Sequence, residues 1–443
     1  MFAQTGIEGI PFILFTGGNA ATITDTDYDM MDSLKVDVLH ITGVTNNHIP
    51  AISSRGMKVI PDQLWMEWDN YIKQYTDAYY TVWEAEGTNP VNGDVSLKYN
   101  RTIGIPFTEG NVSGVKTKNN AGSGELIFGP GYSQGGQYRV SPINPDDITV
   151  KYFADYIIKI EPINGVVLDT STVVCTLKVQ TRGVGVGWSP LQDTMILGDK
   201  WCAKTVEITA GQLVTGQWKT IRLNYDWSQV PDTLTEKIIT AGKNAFGSNQ
   251  KFWAKYAEFI VEYPGSSDFN LYVDKVTVFD VKGERLADST SVAYAQIAHE
   301  AINTFDNNTA IYAWYGLDEP YTIDNYEPYR IVDSIVYEAT NHAKRIITSL
   351  NTHYNGRYGA SQLGSLKYHV GEEFWKRAKP MFLWLNAYPF HYYYKPNEHP
   401  NWREENINLQ IQKIKNVSEN DSNWEQDIQC TNWIVIKKDD NGK

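Results

Sequence analysis

Between Tyr79 and about Arg285 the chain reads as strands and turns and little else, and this long interruption constrains the fold more than any other feature. Runs such as "TVVCTLKVQ" (Thr172–Gln180), "KTVEITA" (Lys204–Ala210), "KTIRLNYDW" (Lys219–Trp227) and "FNLYVDKVTVFDV" (Phe269–Val281) alternate with a period of two, the signature of strands with one buried face. Helical periodicity is scarce here, the main exception lying around Thr235–Tyr256. Many short strands separated by Gly, Asn and Thr predict an all-β sandwich or jelly roll. About 200 residues is generous for one such domain, so long loops are expected.

On either side the pattern differs. "IPFILFTG" (Ile10–Gly17), "VDVLHITG" (Val36–Gly43) and "GMKVIPDQ" (Gly56–Gln63) are short apolar runs closed by turn or polar residues. Leu64, Trp68, Tyr71, Ile72 and Tyr75 then fall on one face of a helix. After the interruption come a helix around Ser291–Phe305, a helical stripe of Tyr329, Val332, Ile335, Val336 and Ala339, and a further helix marked by Ile407, Ile411 and Ile414. Seven strands are expected in these flanks: Phe12–Phe15, Val36–Ile41, Met57–Ile60, Ile311–Tyr315, Ile346–Leu350, Met381–Leu385 and Trp433–Ile436. Strands alternating with helices predict parallel βα units. The expected fold is therefore α/β, a (β/α)8 TIM-type barrel interrupted by the β-sandwich; seven strands are one short, so either one goes unmarked in the sequence or the eighth lies beyond Lys443. The implied division is 1–78, 79–287 and 288–443, with the first and last segments forming one barrel.

A chain of 443 residues has room for two or three such units. Its net charge of −13 repels phosphate backbones, and no Lys/Arg cluster is interleaved with aromatics, which argues against a nucleic-acid partner. No apolar run approaches the roughly 20 residues of a membrane span. Fourteen Trp and 28 Tyr exceed what packing usually requires, and many sit among polar residues, as in "NAYPFHYYYKP" (Asn386–Pro396). Such rings offer a flat apolar face and a polar edge, which suits sugars. Three cysteines form neither a disulfide framework nor a metal-ligand spacing, and a pairing of Cys175 with Cys202 stays open. The opening "MFAQTG" looks like the last residues before a signal-peptidase cut placed behind a start Met, so a secreted or cell-surface location is expected.

The stretch with most chemical interest is "AIYAWYGLDEPY" (Ala310–Tyr321), an apolar strand that ends on two acids and a proline. Neighbours on an extended backbone point to opposite sides, so Asp318 and Glu319 diverge, and Pro320 keeps Glu319 extended. Polar or aromatic residues also close the other expected strands: His40, Asp62 with Gln63, Asn351 with His353, and Asn386 with Tyr388. Trp65, Trp314, Trp384, Tyr321, Tyr388 and His391 accompany them. "IYAWYGLDEP" resembles the fourth strand of clan A glycoside hydrolases, (β/α)8 enzymes whose acid/base is a Glu at that strand's end, and "WLNAYPF" is similar to their sixth-strand end. "NWIVIKK" sits where they carry the seventh strand and its nucleophile. In the interruption, "VWEAEG" and "LYVDKVTVFDV" are similar to the first and last strands of jelly-roll carbohydrate-binding modules.

The resemblance implies cleavage of glycosidic bonds in an extracellular poly- or oligosaccharide, with Glu319 as general acid/base in a two-carboxylate mechanism. Asp318, Trp314, Tyr321, Trp384, Asn386, Tyr388, His391, Trp65 and His40 would bind the sugar. The chain departs from the family twice: Asp318 stands where Asn is usual, and no Glu follows Ile436, so the nucleophile is unassigned. That second departure favours the alternative, a non-catalytic carbohydrate-binding or surface protein on a barrel scaffold. Transglycosylation by the same residues is a third reading. No cofactor is expected. "RGVGVGW" (Arg182–Trp188) opens no helix and so makes no phosphate loop, and the eight His lack metal-ligand spacing. "DTDYD" (Asp25–Asp29) lacks the sixth-position Gly and twelfth-position Glu of a calcium loop and reads as a helix start.

Overall fold

The computed structural model describes residues 13–62, 70–85, 97–99, 103–132, 151–185, 196–226, 254–305, 308–318, 320, 325–351, 374, 377–386 and 433–437. The chain opens with β1 (Ile13–Asn19), helix α1 (Asp25–Ser33), β2 (Val38–Thr42), α2 (Ile49–Ser53), β3 (Lys58–Asp62) and α3 (Tyr71–Thr76). "DTDYD" does start α1: Thr24 caps it and Asp27 returns a hydrogen bond to the Thr24 backbone, a capping box. β1, β2 and β3 pair in parallel, and Val59 makes a further parallel bridge to Ile311.

Eleven strands then fill the interruption: β4 (Tyr80–Glu84), β5 (Leu97–Tyr99), β6 (Gly104–Glu109), β7 (Val112–Thr117), β8 (Gly124–Tyr132), β9 (Tyr152–Pro162), β10 (Val173–Gly185), β11 (Ile196–Thr209), β12 (Lys219–Tyr225), β13 (Ala254–Tyr263) and β14 (Phe269–Asp280). They form two antiparallel sheets, β11-β10-β13-β8-β5 and β12-β9-β14-β7-β6, with β4 added to β14. Alternation dictates the packing. In β9, Tyr152, Ala154, Tyr156, Ile158 and Ile160 are buried on one face. Register sets apolar residues side by side in the opposing sheet, Val179 beside Phe259 beside Phe128, and Leu177 beside Val261 beside Leu126. These faces meet in one apolar core, and the Tyr156 hydroxyl crosses between sheets to the Lys178 carbonyl at 2.6 Å.

Entry and exit of this unit lie together. Tyr80 pairs with Phe279, and the Asp280 N–H donates to the Tyr79 carbonyl at 3.0 Å. The Asp280 side chain then caps α4 (Val281–Ala287), where Gly283 presses so closely on the Tyr79 carbonyl that a Cβ would stand 2.0 Å from it. After α5 (Val292–Asn303) come β15 (Trp314–Tyr315), α6 (Tyr326–Ala339), β16 (Ile346–Ile347), β17 (Ser349–Asn351), β18 (Phe382–Asn386) and β19 (Trp433–Lys437). In α6 four residues of the expected stripe are buried, Tyr329, Val332, Ile335 and Val336, and the fifth, Ala339, is half-buried. Asp333, on the same helix, pairs with Arg345 and accepts the Ile346 N–H, which ties α6 to β16.

The expected (β/α)8 barrel is not what forms. Among the described residues, eleven of nineteen strands stand in the two antiparallel sheets. The flanking strands occupy the expected places but make separate three-, two- and three-stranded pieces, and β18 pairs with β19 antiparallel. A parallel barrel needs one direction throughout. Hydrophobic runs mark where strands are; they do not carry the direction of their partners. The helix expected from Leu64 onward is seen as α3, with its earlier positions outside the described residues. Of the expected Thr235–Tyr256 helix, Ala254–Tyr256 belong instead to β13.

Candidate functional site

The carboxyl ends of the parallel strands gather a buried polar cluster. His40 in β2 pairs in register with Ile60, so Asp62, two residues on, shares its face. His40 Nε2 lies 3.3 Å from Asp62 Oδ2, and Lys73 Nζ on α3 lies 2.7 Å from Asp62 Oδ1. The Tyr315 ring packs on His40 at 4.2 Å between centroids, and Lys73 Nζ sits 5.6 Å over the same ring. The Tyr315 hydroxyl donates to Asp318 Oδ1 at 2.5 Å, Ser349 Oγ donates to the same oxygen at 2.7 Å, and the two hydroxyls are 3.0 Å apart. The Leu317 N–H donates to Thr76 Oγ1, and the Thr348 hydroxyl donates to the Leu317 carbonyl.

Electrostatics follow from this enclosure. Burial pushes Asp62 up, but the His40 hydrogen bond and the Lys73 and His40 charges outweigh it and hold the carboxyl below its usual range. Burial, with the charges of Asp318 and Asp62, drives the Tyr315 phenol well above its usual range, so it stays a donor. His40, Asp62, Lys73 and Tyr315 are all buried. The cluster therefore serves as an internal polar post between β2, β3, α3, β15 and β17.

Of the sugar-binding residues expected from sequence, His40 is 1% exposed inside this post. Trp314 is 6% exposed and packs on Phe305 in the main core, so its ring is not offered to a ligand. Its neighbour Tyr315, pointing the other way, is the residue beside His40 and Asp318; alternation along the strand could have found it. Asp318 is half-buried and meets Tyr315 and Ser349. Trp384 and Asn386 pair in register with Ser349 and Asn351. Glu319, Tyr321, Tyr388, His391 and Trp65 lie outside the described residues, as does Cys430. Cys175 and Cys202 are both free thiols; register sets Cys202 opposite Gln180 and Cys175 opposite Ile208. Among the described residues no group of His, Cys, Asp and Glu could hold a metal ion, and no helix is long and apolar enough to cross a membrane.

A second constellation stands on the outer face of the six-stranded sheet, where sequence reading placed nothing. Lys159, Tyr272, Lys116 and Ile105 follow one another across β9, β14, β7 and β6. Trp218 precedes β12 on the far side of Lys159, and Phe107 reaches over from β6. Phe107 and Trp218 stack at 5.9 Å and 19°, and Tyr272 meets each edge-on at 5.1 and 6.5 Å. Gly114, opposite Phe107, makes room: a Cβ there would stand 2.3 Å from the Val273 carbonyl and 3.0 Å from the Phe107 ring. The Val273 carbonyl belongs to a bulge at Asp274, the extra residue between Val273 and Lys275.

Lys159 Nζ lies 4.4 Å from the Tyr272 ring centroid and 5.3 Å from that of Trp218, with Glu109 at 2.5 Å and Glu161 at 2.7 Å. The Tyr272 hydroxyl donates to Glu161 Oε2 at 2.5 Å. Burial opposes the charge on Lys159, but its hydrogen bonds to Glu109 and Glu161 raise it above its usual range. Burial likewise raises Glu161, while bonds from Lys159 and Tyr272 bring it below. Trp218 and Phe107 are half-buried, and the side chains of Glu109 and Glu161 are 58% and 38% exposed. The face thus presents ring surface and carboxylate acceptors together. Trp218 in "TGQWKT" and the outward positions of "FNLYVDKVTV" were the available signals.

No family model and no curated protein matches the chain. Among solved structures it is similar to a family 29 carbohydrate-binding module from Piromyces equi, at TM-score 0.19 and 10% identity over 46% of this chain and 91% of that one. It is similar to a mutant family 29 module complexed with cellulohexaose, at 0.19 and 10% over 45% and 91%. A xylan-binding module of family 15 matches at 0.20 and 9% over 46% and 93%. These structural neighbours are carbohydrate-binding modules, matched over part of the chain.

Proposed function

We propose that the chain is a carbohydrate-binding protein that holds a poly- or oligosaccharide at the cell surface or outside the cell, through the β-rich unit at 79–287 set between 1–78 and 288–443. The observation that supports this is the outer face of the six-stranded sheet. Half-buried Trp218 and Phe107 stand beside the exposed carboxylates of Glu109 and Glu161. A sugar ring has an apolar C–H face that packs on an aromatic ring and hydroxyls that donate to carboxylates, so this pairing of surfaces matches its two characters. The test is affinity electrophoresis of the whole chain through gels containing single polysaccharides. Trp218→Ala should weaken retention about tenfold or more, the roughly 1.4–2 kcal/mol of an aromatic anchor. Retention equal to wild type would rule out this face.

A second reading, glycoside hydrolysis with Glu319 as acid/base, has one observation in its favour. Its chain neighbour Asp318 is oriented by Tyr315 and Ser349 at the end of a parallel strand pair, where ligands of such sheets bind. Glu319→Gln should then abolish release of reducing sugar while leaving circular dichroism unchanged; equal turnover would eliminate it.

A further inference from the structure

We propose that this sheet face selects uncharged saccharides and that Lys159 is its internal post, a positioning residue whose charge never meets the ligand; the inference rests on the carbohydrate-binding reading above. An exposed lysine beside tryptophan would ordinarily be read as a hook for acidic sugars. Here the geometry says otherwise. The Lys159 side chain is 1% exposed. Its ammonium ends on Glu109 at 2.5 Å and Glu161 at 2.7 Å, and two ring faces cover it, with centroids 4.4 and 5.3 Å away. An ammonium has three donors and no acceptor, so carboxylates and rings already enclose this one.

The four charges of this group, its own included, sum to zero. Lys159 and Lys116 oppose Glu109 and Glu161, and Lys116 Nζ lies 5.7 Å from the Tyr272 ring. Position then decides the sign that a ligand meets. The cation Lys159 is innermost and Lys116 is half-buried over the Tyr272 ring, whereas the Glu109 and Glu161 side chains are 58% and 38% exposed. A uronate or sulfated chain would meet two carboxylates first, a like-charge contact that selects against it. A neutral chain brings hydroxyl donors, which ionised carboxylates accept with the lone pairs that Lys159 and Tyr272 leave over. Lys159 in turn fixes Trp218 and Tyr272 nearly perpendicular, at 84°.

The test compares one polymer in two charge states. Whole chain is run by affinity electrophoresis against a panel of neutral polysaccharides (a β-glucan, a mannan and a xylan) and against carboxymethylated derivatives of the same polymers at low ionic strength. Binding to the neutral parent at least tenfold tighter than to its carboxymethyl form is expected. In Glu109→Gln/Glu161→Gln the gap should close, and carboxymethyl binding should appear that salt suppresses. Lys159→Met should weaken neutral binding and alter the near-ultraviolet dichroism of the rings without changing salt dependence; a changed salt dependence would place Lys159 against ligand charge and overturn its role. Carboxymethyl polymer bound as tightly as its parent by wild type would overturn the selectivity, whatever the variants do. Binding of neither form by wild type removes the carbohydrate reading itself, a result distinct from wrong selectivity.

Discussion

Removing the carboxylate at the centre of the buried post should loosen the parallel strands and leave the β-rich unit unchanged. Asp62→Asn keeps the shape of the side chain but deletes the charge facing Lys73 Nζ at 2.7 Å and His40 Nε2 at 3.3 Å. Asp62 is 4% exposed and Lys73 6%, so no water can take over. Breaking a buried pair by removing one partner costs about 3–5 kcal/mol, mainly because the other charge is left uncompensated. At about 1.4 kcal/mol per decade, the lower figure corresponds to a more than hundredfold faster opening of the amides it protects. Hydrogen exchange read by mass spectrometry should show this in peptides covering Val38–Thr42 and Lys58–Asp62, with β9 and β14 unaffected. Asp62→Leu combined with Lys73→Met should recover most of the loss, since no lone charge remains. The pH dependence has a definite sign. Folding lowers the Asp62 pKa, so its contribution is complete above the unfolded value near about 3.9 and is lost as pH falls through the lower folded value. An acceleration below about threefold in Asp62→Asn, or loss of protection already between about pH 5 and 7 in wild type, would refute the reasoning.

Other outcomes follow from single contacts. Gly114→Ala should destabilise the β-rich unit by about 1–3 kcal/mol in urea unfolding, because its Cβ would stand 2.3 Å from the Val273 carbonyl. Cys202 is exposed and should alkylate readily at pH 8, whereas Cys175, buried with its thiol pushed up to about 12 by that burial, should react only on unfolding, as peptide-resolved labelling would show. Tyr329→Phe loses the 2.7 Å bond to the Ile346 carbonyl and should cost about 1–3 kcal/mol, since that carbonyl is left buried, in the same urea assay.

How much of this was legible in sequence depends on which property is asked for. Period-two alternation located β10, β11, β12 and β14 of the β-rich stretch, and β9, which no quoted run covered, buries alternate residues from Tyr152 to Ile160 as the same pattern requires. The seven flanking strands also lie close to their expected positions. Their partners were not legible. "NWIVIKK" has the same apolar run whether it pairs parallel or antiparallel, and in the structure it runs antiparallel to β18. The site was legible in part. Asp62 and Asp318 were marked as strand-end acids and do gather with His40, but nothing in their types showed that they would be enclosed. Trp314 was expected to bind sugar and Tyr315 was not named, although alternation leaves only one of the two facing His40. The outer-face group was invisible for a different reason. Phe107, Lys159 and Tyr272 come from three strands and Trp218 from the residue before a fourth, all far apart in the chain, and only cross-strand register sets them side by side.

Access, more than chemical character, separates the two constellations. Both hold carboxylates, a lysine and a tyrosine whose phenol donates to a carboxylate at 2.5 Å. In the buried post Asp62 faces Lys73 and His40 and is 4% exposed, and those partners hold its pKa down against the burial that pushes it up. On the sheet face the same pairing is turned inside out: the lysine is covered and its carboxylates stand outermost. An enclosed charge network can stabilise or align its surroundings, but it cannot meet a polymer that stays outside the fold. A covered cation with exposed acceptors can, because the covering rings are held in place before any ligand arrives and less ordering is left to oppose binding. That asymmetry in exposure is why the binding proposal rests on Trp218, Glu109 and Glu161 and not on His40.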